Sequence, residues 1–282
     1  MIRGPRAMAI AVRQPDGTIV LRSEPLGGIY SAAVRRVPFV RGVAVLWETL
    51  ALGMRALAWS AAVAAGAPGD AAEARTLGLV TWLTMAASMA FGVAIFFLLP
   101  VVGTAWLEAF LPGLAVVGLE GAIRIALLVG YVWAIGRSEE IARVFQYHGA
   151  EHMTIHAFEQ GQEPTVPAVR RFAKEHPRCG TSFLLTVGVV AVLVFALLGS
   201  PPLWWRLASR VVLIPLIAAV AYEAIRFAGF HQRWPVVRWL FAGNMALQKL
   251  TTRAPDDEQI QVAIAALDRA IAEERGAAAG PA

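Results

Sequence analysis

TLGLVTWLTMAASMAFGVAIFFLLPVVGTAWL, residues 76–107, contains no charged side chain. A helix needs about 20 apolar residues to cross the hydrocarbon core of a bilayer. This stretch is long enough, and it sets the expected fold class. A second uncharged run, Gly180 to Trp205, meets the same condition. Two further stretches are long enough but carry charges. They are Pro112 to Ile135, with Glu120 and Arg124, and Leu207 to Phe230, with Arg210, Glu223 and Arg226. The predicted fold is therefore mainly α, a polytopic membrane protein with four transmembrane helices in two hairpins.

The hairpin turns, residues 100–112 and 200–206, hold no Lys or Arg except Arg206. The other connections are basic. Nine arginines precede Leu77. Arg137, Arg143, Arg170, Arg171, Lys174 and Arg178 follow the first hairpin. Arg233, Arg238, Lys249, Arg253, Arg269 and Arg275 follow the second. The positive-inside rule puts all three on the cytoplasmic side, with both termini inside. The charged fraction is only 16%, against about 25% in soluble domains. The pI near 10.0 reports this orientation. Nucleic acid is not an expected partner, because no aromatic-basic motif accompanies the charge. A single cysteine, Cys179, excludes a disulfide framework. Arg3 and Arg6 are followed by no apolar core, so no signal peptide is expected.

The segments follow from these spans. Residues 1–38 hold a cytoplasmic β-hairpin, with Asp16-Gly17 turning between Ala7–Val12 and Thr18–Arg22. Residues 39–75 hold an amphipathic interfacial helix over Phe39–Ala65, where Arg41, Glu48 and Arg55 recur on one face. A fifth span there would put the N-terminal arginines outside. Residues 76–135 form the first hairpin. Residues 136–180 are cytoplasmic and open with a helix over 138–158, capped by Ser138 with Glu139 and Glu140 in its first turn. Residues 162–171 contain two prolines and read as a turn or loop. Residues 181–230 form the second hairpin, and 231–282 the cytoplasmic tail. In that tail Asp256 and Asp257 open an amphipathic helix with Ile260, Ile264, Leu267 and Ile271 on one face. That face needs a partner, within the chain or in a second copy, so a homo-oligomer is one expectation. Disorder is expected from Gly276.

The chemistry concentrates in the cytoplasmic segment. His148-Gly149-Ala150-Glu151-His152 reads H-x-x-E-H, the inverted zinc-peptidase pattern. On a helix His148 and His152 stand one turn apart on one face and can share a zinc ion. Glu151 lies beside that face as the candidate general base, and His156 extends the row. His176 and Cys179 form a second pair in a Pro-Gly turn before the third span. Glu223, near the end of the last span, is the third candidate. It reads either as a distant metal ligand or as a salt-bridge partner of Arg226 or another helix. Whether His176 and Cys179 or Glu223 complete the site is left open by the residues. Five residues alone match by chance in many proteins. Here, however, four of five histidines and the sole cysteine fall between positions 148 and 179. His231 reads as an interfacial side chain. Glu120 and Arg124, spaced i, i+4, read as an ion pair locking helices, or else as a polar path.

These residues resemble the YqhQ-like family of bacterial membrane proteins, a domain of unknown function regarded as metal-dependent. The resemblance rests on Arg3-Gly4-Pro5, Pro38-Phe39-Val40-Arg41-Gly42, Phe145-Gln146-Tyr147-His148-Gly149-Ala150-Glu151-His152 and His176-Pro177-Arg178-Cys179-Gly180-Thr181-Ser182-Phe183. Tyr222-Glu223 and Leu250-Thr251-Thr252-Arg253 also fit. Met153 stands where the family pattern has a lysine. The resemblance implies metal dependence and supplies no substrate. The expected function is an integral-membrane zinc hydrolase working at the cytoplasmic face on a membrane protein, peptide or lipid headgroup. The alternative is a metal-stabilised oligomeric scaffold or assembly factor, with a transporter as a weaker third.

Overall fold

The structure is a computed structural model that describes residues 1–26, 37–66, 79–176, 179–199, 201–231 and 233–279. The start of the first expected span at Thr76, the Pro177-Arg178 step and Ser200 lie outside the described residues.

Three strands form an antiparallel sheet in the order β1 (Ile2–Arg3), β2 (Ala7–Arg13), β3 (Ile19–Pro25). The expected hairpin is present, paired from Ala7 with Pro25 to Arg13 with Ile19. Asp16 Oδ1 accepts from both the backbone N–H and the hydroxyl of Thr18, and Gly17 supplies the positive φ of 90°. The short β1 was not expected. Alternation along β2 sends Met8, Ile10 and Val12 to one face and Ala9 to the other, and all four are buried.

The first face packs on α1 (Val40–Ala64) through Leu52, Ala56, Trp59 and Val63. The charges spaced by seven on α1 all find partners. Arg41 pairs with Glu223, Glu48 with Arg3, and Arg55 with Glu24 at 3.9 Å. Val40, Val43, Trp47, Leu50 and Leu57 stay exposed. The second sheet face meets the C-terminal helix through Ala266, Leu267 and Ala270. The apolar stripe of that helix is thus covered within this chain, and the helix runs on to Ala279. Asp256 and Gln259 cap it reciprocally: Asp256 Oδ1 accepts from the Gln259 N–H at 2.8 Å, and Gln259 Oε1 from the Asp256 N–H at 3.0 Å.

The apolar part begins with α2 (Leu79–Val93), a π-helical stretch Ala94–Leu98, α3 (Leu99–Thr104) and a 3₁₀ turn Ala105–Ala109. It continues with α4 (Gly113–Ile135). After α5 (Glu139–Glu159) and the single turn α6 (Val166–Val169) come α7 (Ser182–Leu198), α8 (Leu203–Val212) and α9 (Ile214–Phe230). Short helices α10 (Pro235–Leu240) and α11 (Ala242–Thr251) lead to the C-terminal helix, α12 (Asp257–Ala279). Residues 166–169 make a single helical turn inside the segment expected to be a turn or loop.

Among the described residues, two continuous helices are long and apolar enough to cross a membrane, Leu83–Ala109 and Gly113–Ile135. The pair α8 and α9, bent by 51°, makes a third if taken as one span. Pro215 in the first turn of α9 fits the break, since a proline is tolerated there and nowhere deeper. α7 is apolar but shorter. It packs against α4 and α9 through Val190, Ala191, Phe195, Val117, Ile217 and Ala221. A Cβ on Gly121 would stand 2.3 Å from Val192 Cγ2, so α4 and α7 approach to glycine distance.

The expected Glu120–Arg124 pair does not form. Glu120 is held by Arg206 and Arg210 of α8, and Arg124 donates from Nε to the Phe96 carbonyl at 2.9 Å.

Candidate metal centre

α5 carries the histidine row. It sits on α12 through Ala150, Met153 and Ala157 against Ile260 and Ala263. Its other side is closed by the chain leaving α11. The Arg253 N–H donates to the Phe145 carbonyl at 2.9 Å, and Arg253 Nη2 to the Gly136 carbonyl at 2.5 Å. Gly149 permits this approach: a Cβ there would stand 2.2 Å from the Arg253 carbonyl oxygen.

Backbone carbonyls from two segments orient the imidazoles. His148 Nδ1 lies 2.9 Å from the Thr251 carbonyl, His152 Nδ1 2.7 Å from that of Lys174, and His156 Nδ1 2.9 Å from that of Ala173. A carbonyl only accepts, so each Nδ1 carries a proton and a neutral ring leaves its lone pair on Nε2. This is the tautomer that binds metal through Nε2, with the carbonyl fixing the ring.

The loop before α7 brings Cys179 to the row. Its Sγ lies 3.3 Å from His148 Nε2. It also receives the Thr181 backbone N–H at 3.4 Å and lies 3.1 Å from the Thr181 hydroxyl. Donor atoms of His148, His152 and Cys179 all fall within 4.8 Å of one another. Zinc bonds of 2.3 Å to sulfur and about 2.05 Å to nitrogen, at the tetrahedral angle, separate those atoms by about 3.6 Å. The His148–Cys179 spacing is close to that value, and the donor types suit zinc. His152 and Cys179 are buried.

Burial by itself would push the Cys179 thiol up. Hydrogen bonds with His148, His152 and Thr181 and the charge of His148 outweigh it and hold the thiol at about 5. Burial likewise disfavours a charged His148, yet Cys179 and the Thr251 carbonyl leave it above its usual value. The two groups stabilise each other as thiolate and imidazolium, so Cys179 is ready to act as an anionic ligand.

The other expected residues divide. His176 adjoins the group, its ring 5.7 Å from that of His152 and 4.6 Å from that of His156, but stands outside the convergent set. Burial drives its pKa down. Gln248 holds its backbone, accepting the His176 N–H at 2.9 Å and donating to its carbonyl at 3.0 Å. His176 Nε2 meets Glu159 Oε2 at 3.3 Å. Glu151 also stands outside the set, its carboxylate 3.4 Å from the Met1 amine. Glu223 is not brought to the site. Arg41 donates to Glu223 Oε1 from Nε at 2.7 Å and pairs with Oε2 through Nη2. The salt bridge to another helix is the reading that the structure supports. His231 lies against Phe227 and Trp234 and is not among the convergent donors. Sequence reasoning missed Glu159, Thr181, Gln248 and the carbonyls of residues 173, 174 and 251. Only Thr181, two residues past the cysteine, offered a signal.

Fold and site together define a helical protein with membrane-length apolar helices and a His-His-Cys donor set in which His152 and Cys179 are buried. The chain belongs to the family described as "Protein of unknown function (DUF1385)", whose model matches residues 37–273. It is similar to a Bacillus subtilis (strain 168) protein described as "Uncharacterized protein YqhQ". The two are 32% identical over 279 residues, covering 94% of this chain and 86% of the relative. No solved structure matches the chain.

Proposed function

We propose that the chain is an integral-membrane, metal-dependent hydrolase of the bacterial inner membrane. In this reading α7 and the bent α8–α9 pair form a second hairpin beside α2–α4, giving four spans with both termini cytoplasmic. α7 is 17 residues long, at the short end of what spans. The exposed apolar stripe of α1 lies in the inner interface.

The observation that carries the reading is the convergence of His148, His152 and Cys179, with both imidazoles held by backbone carbonyls. Three protein donors are the number that catalytic zinc sites use, whereas structural sites close with four. Zinc bound there supplies Lewis acidity and a nucleophilic water at neutral pH. On zinc binding His148 would lose its Nε2 proton, leaving His148 and His152 to ligate through Nε2, and Thr181 stabilises the Cys179 sulfur. Glu151, one turn from His148 on the row's flank, is the base, and it must leave the Met1 amine to act. The substrate class is a peptide or lipid headgroup presented at the cytoplasmic face.

One observation favours a second reading. The Glu151 carboxylate contacts the Met1 amine and is not among the convergent donors, and His176 stands next to His152. If His176 turned in as a fourth ligand, the centre would be structural and the protein a scaffold or assembly factor. Elemental analysis of detergent-purified protein comes first, with about one zinc per chain expected from the donor set. Glu151→Gln then separates the readings. Retained zinc with lost complementation of a deletion strain supports the enzyme, and full complementation rejects it. Wild-type protein without bound metal overturns both.

A further inference from the structure

At the end of α7 opposite Cys179 lies a second charged cluster, separated from the donor set by a helix of 17 residues, about 25 Å long. Arg124, Arg206 and Arg210 are 5%, 2% and 0% exposed, and Glu120 is 1% exposed. Glu120 binds Arg210 through Oε2 at 2.7 Å and Arg206 through Oε1. Arg206 also meets Glu108, whose side chain is 39% exposed. Among the described residues Arg124 makes no salt bridge. It donates to the Phe96 carbonyl, and its guanidinium carbon lies 5.4 Å from the ring centroid of Phe195, with that of Arg210 at 3.9 Å.

Three guanidinium groups thus face two carboxylates, one of them at the surface. Guanidinium groups remain charged, and burying an uncompensated charge is expensive. The donors are also unfilled: Arg124 Nη2, Arg206 Nε and Arg210 Nε are buried without a hydrogen-bond partner. A network built only for stability would be expected to match its charges and fill its donors. An excess cation with spare N–H groups on planar forks suits an oxyanion. Trp106, Trp204 and Trp205 are exposed around the Glu108–Arg206 side, the pattern of a headgroup-level aromatic belt.

We propose that Arg124, Arg206 and Arg210 form a binding site for a phosphate group, entered past Glu108 at the membrane face opposite the histidine row. A lipid headgroup and free phosphate share this chemistry. Glu108 occupies Arg206 when the ligand is absent and yields to it.

The test uses the full chain in detergent and the midpoint of thermal unfolding. The probes are dihexanoyl phosphatidylglycerol, dihexanoyl glycerol lacking the phosphate, sodium phosphate, and sodium chloride at matched ionic strength. A phosphate-bearing probe should raise the midpoint, while the diacylglycerol and chloride do not. A response to phosphatidylglycerol alone assigns the site to a headgroup, and a response to inorganic phosphate assigns it to the free anion. Arg124→Gln should abolish the response. Glu108→Gln removes the competing carboxylate and should bring the half-maximal response to about tenfold lower ligand, a gain of about 1.4 kcal/mol. Because Glu108 is partly exposed, this variant tests the site even if Arg124→Gln fails to fold. Equal responses to phosphatidylglycerol and diacylglycerol, no response to any phosphate, or weaker binding in Glu108→Gln overturns the proposal. Chelator-treated protein should respond as the untreated protein does, so failure here leaves the metal reading standing.

Discussion

His148 Nε2 and Cys179 Sγ stand 3.3 Å apart although 31 residues separate them. Two independent backbone constraints produce the contact: the Thr251 carbonyl turns the imidazole, and the Thr181 N–H and hydroxyl fix the sulfur. His148→Ala and Cys179→Ser should each weaken zinc binding by at least about 100-fold, since even outer-shell changes cost 10–100-fold. Competition with a chromogenic chelator measures this. Unchanged affinity in both variants would remove these residues from the centre.

Glu223 gives the contrasting case. Its carboxylate belongs to Arg41 at the start of α1, beside Gly42, whose added Cβ would stand 3.1 Å from Ala219 Cα. Glu223→Gln should leave zinc content unchanged. It should destabilise the packing of α1 on α9 by about 1–3 kcal/mol, the range for a charge-assisted pair that is partly buried. Zinc loss with an intact fold would restore Glu223 as a ligand. The midpoint in a denaturant titration reads the stability, and elemental analysis the metal.

What separates His148 from Glu223 is also what made one legible in the sequence and the other not. His148 and His152 are related by helical spacing, which the chain states outright. The partner of Glu223 is set by how α1 meets α9, and no local pattern encodes that. Glu120 shows the same limit. Arg124 sits four residues on, the right spacing for a pair, yet Arg206 and Arg210 take both carboxylate oxygens from another helix. The apolar runs predicted four spans, and among the described residues two of them are single long apolar helices, because hydropathy is local. The bend between α8 and α9 and the brevity of α7 depend on packing and were not visible. The partner of the Asp256 helix was undecidable until β2 proved to be buried on both faces.

Gly149 sits inside the motif for a steric reason. A methyl group there would lie 2.2 Å from the Arg253 carbonyl oxygen, a backbone atom that cannot swing aside. Gly149→Ala should therefore push residues 251–253 off α5 and release His148 Nδ1 from Thr251. Helix propensity alone would favour alanine by about 1 kcal/mol. Overpacking costs about 1–3 kcal/mol and should win. The variant is expected to be less stable and to hold zinc about 10–100-fold more weakly through the lost carbonyl contact. A Gly149→Ala protein as stable as wild type would contradict the close approach.

Pro100 and Arg124 are linked through one carbonyl. Proline has no N–H to return to Phe96, four residues earlier, and the helix widens into a π turn at Ala94–Leu98, where the Leu99 N–H reaches back to Ala94. Arg124 supplies a donor to Phe96 instead, at 2.9 Å. In an apolar setting a carbonyl left short of donors is costly, so the proline and the arginine should be energetically coupled. Arg124→Gln should lower resistance to denaturing detergent in the wild-type background. In Pro100→Ala, where the backbone donor returns, the same substitution should cost about 0.5–1.5 kcal/mol less. Strictly additive effects in that double-mutant cycle would mean that Arg124 serves the phosphate site alone and that the π turn closes its own hydrogen bonds.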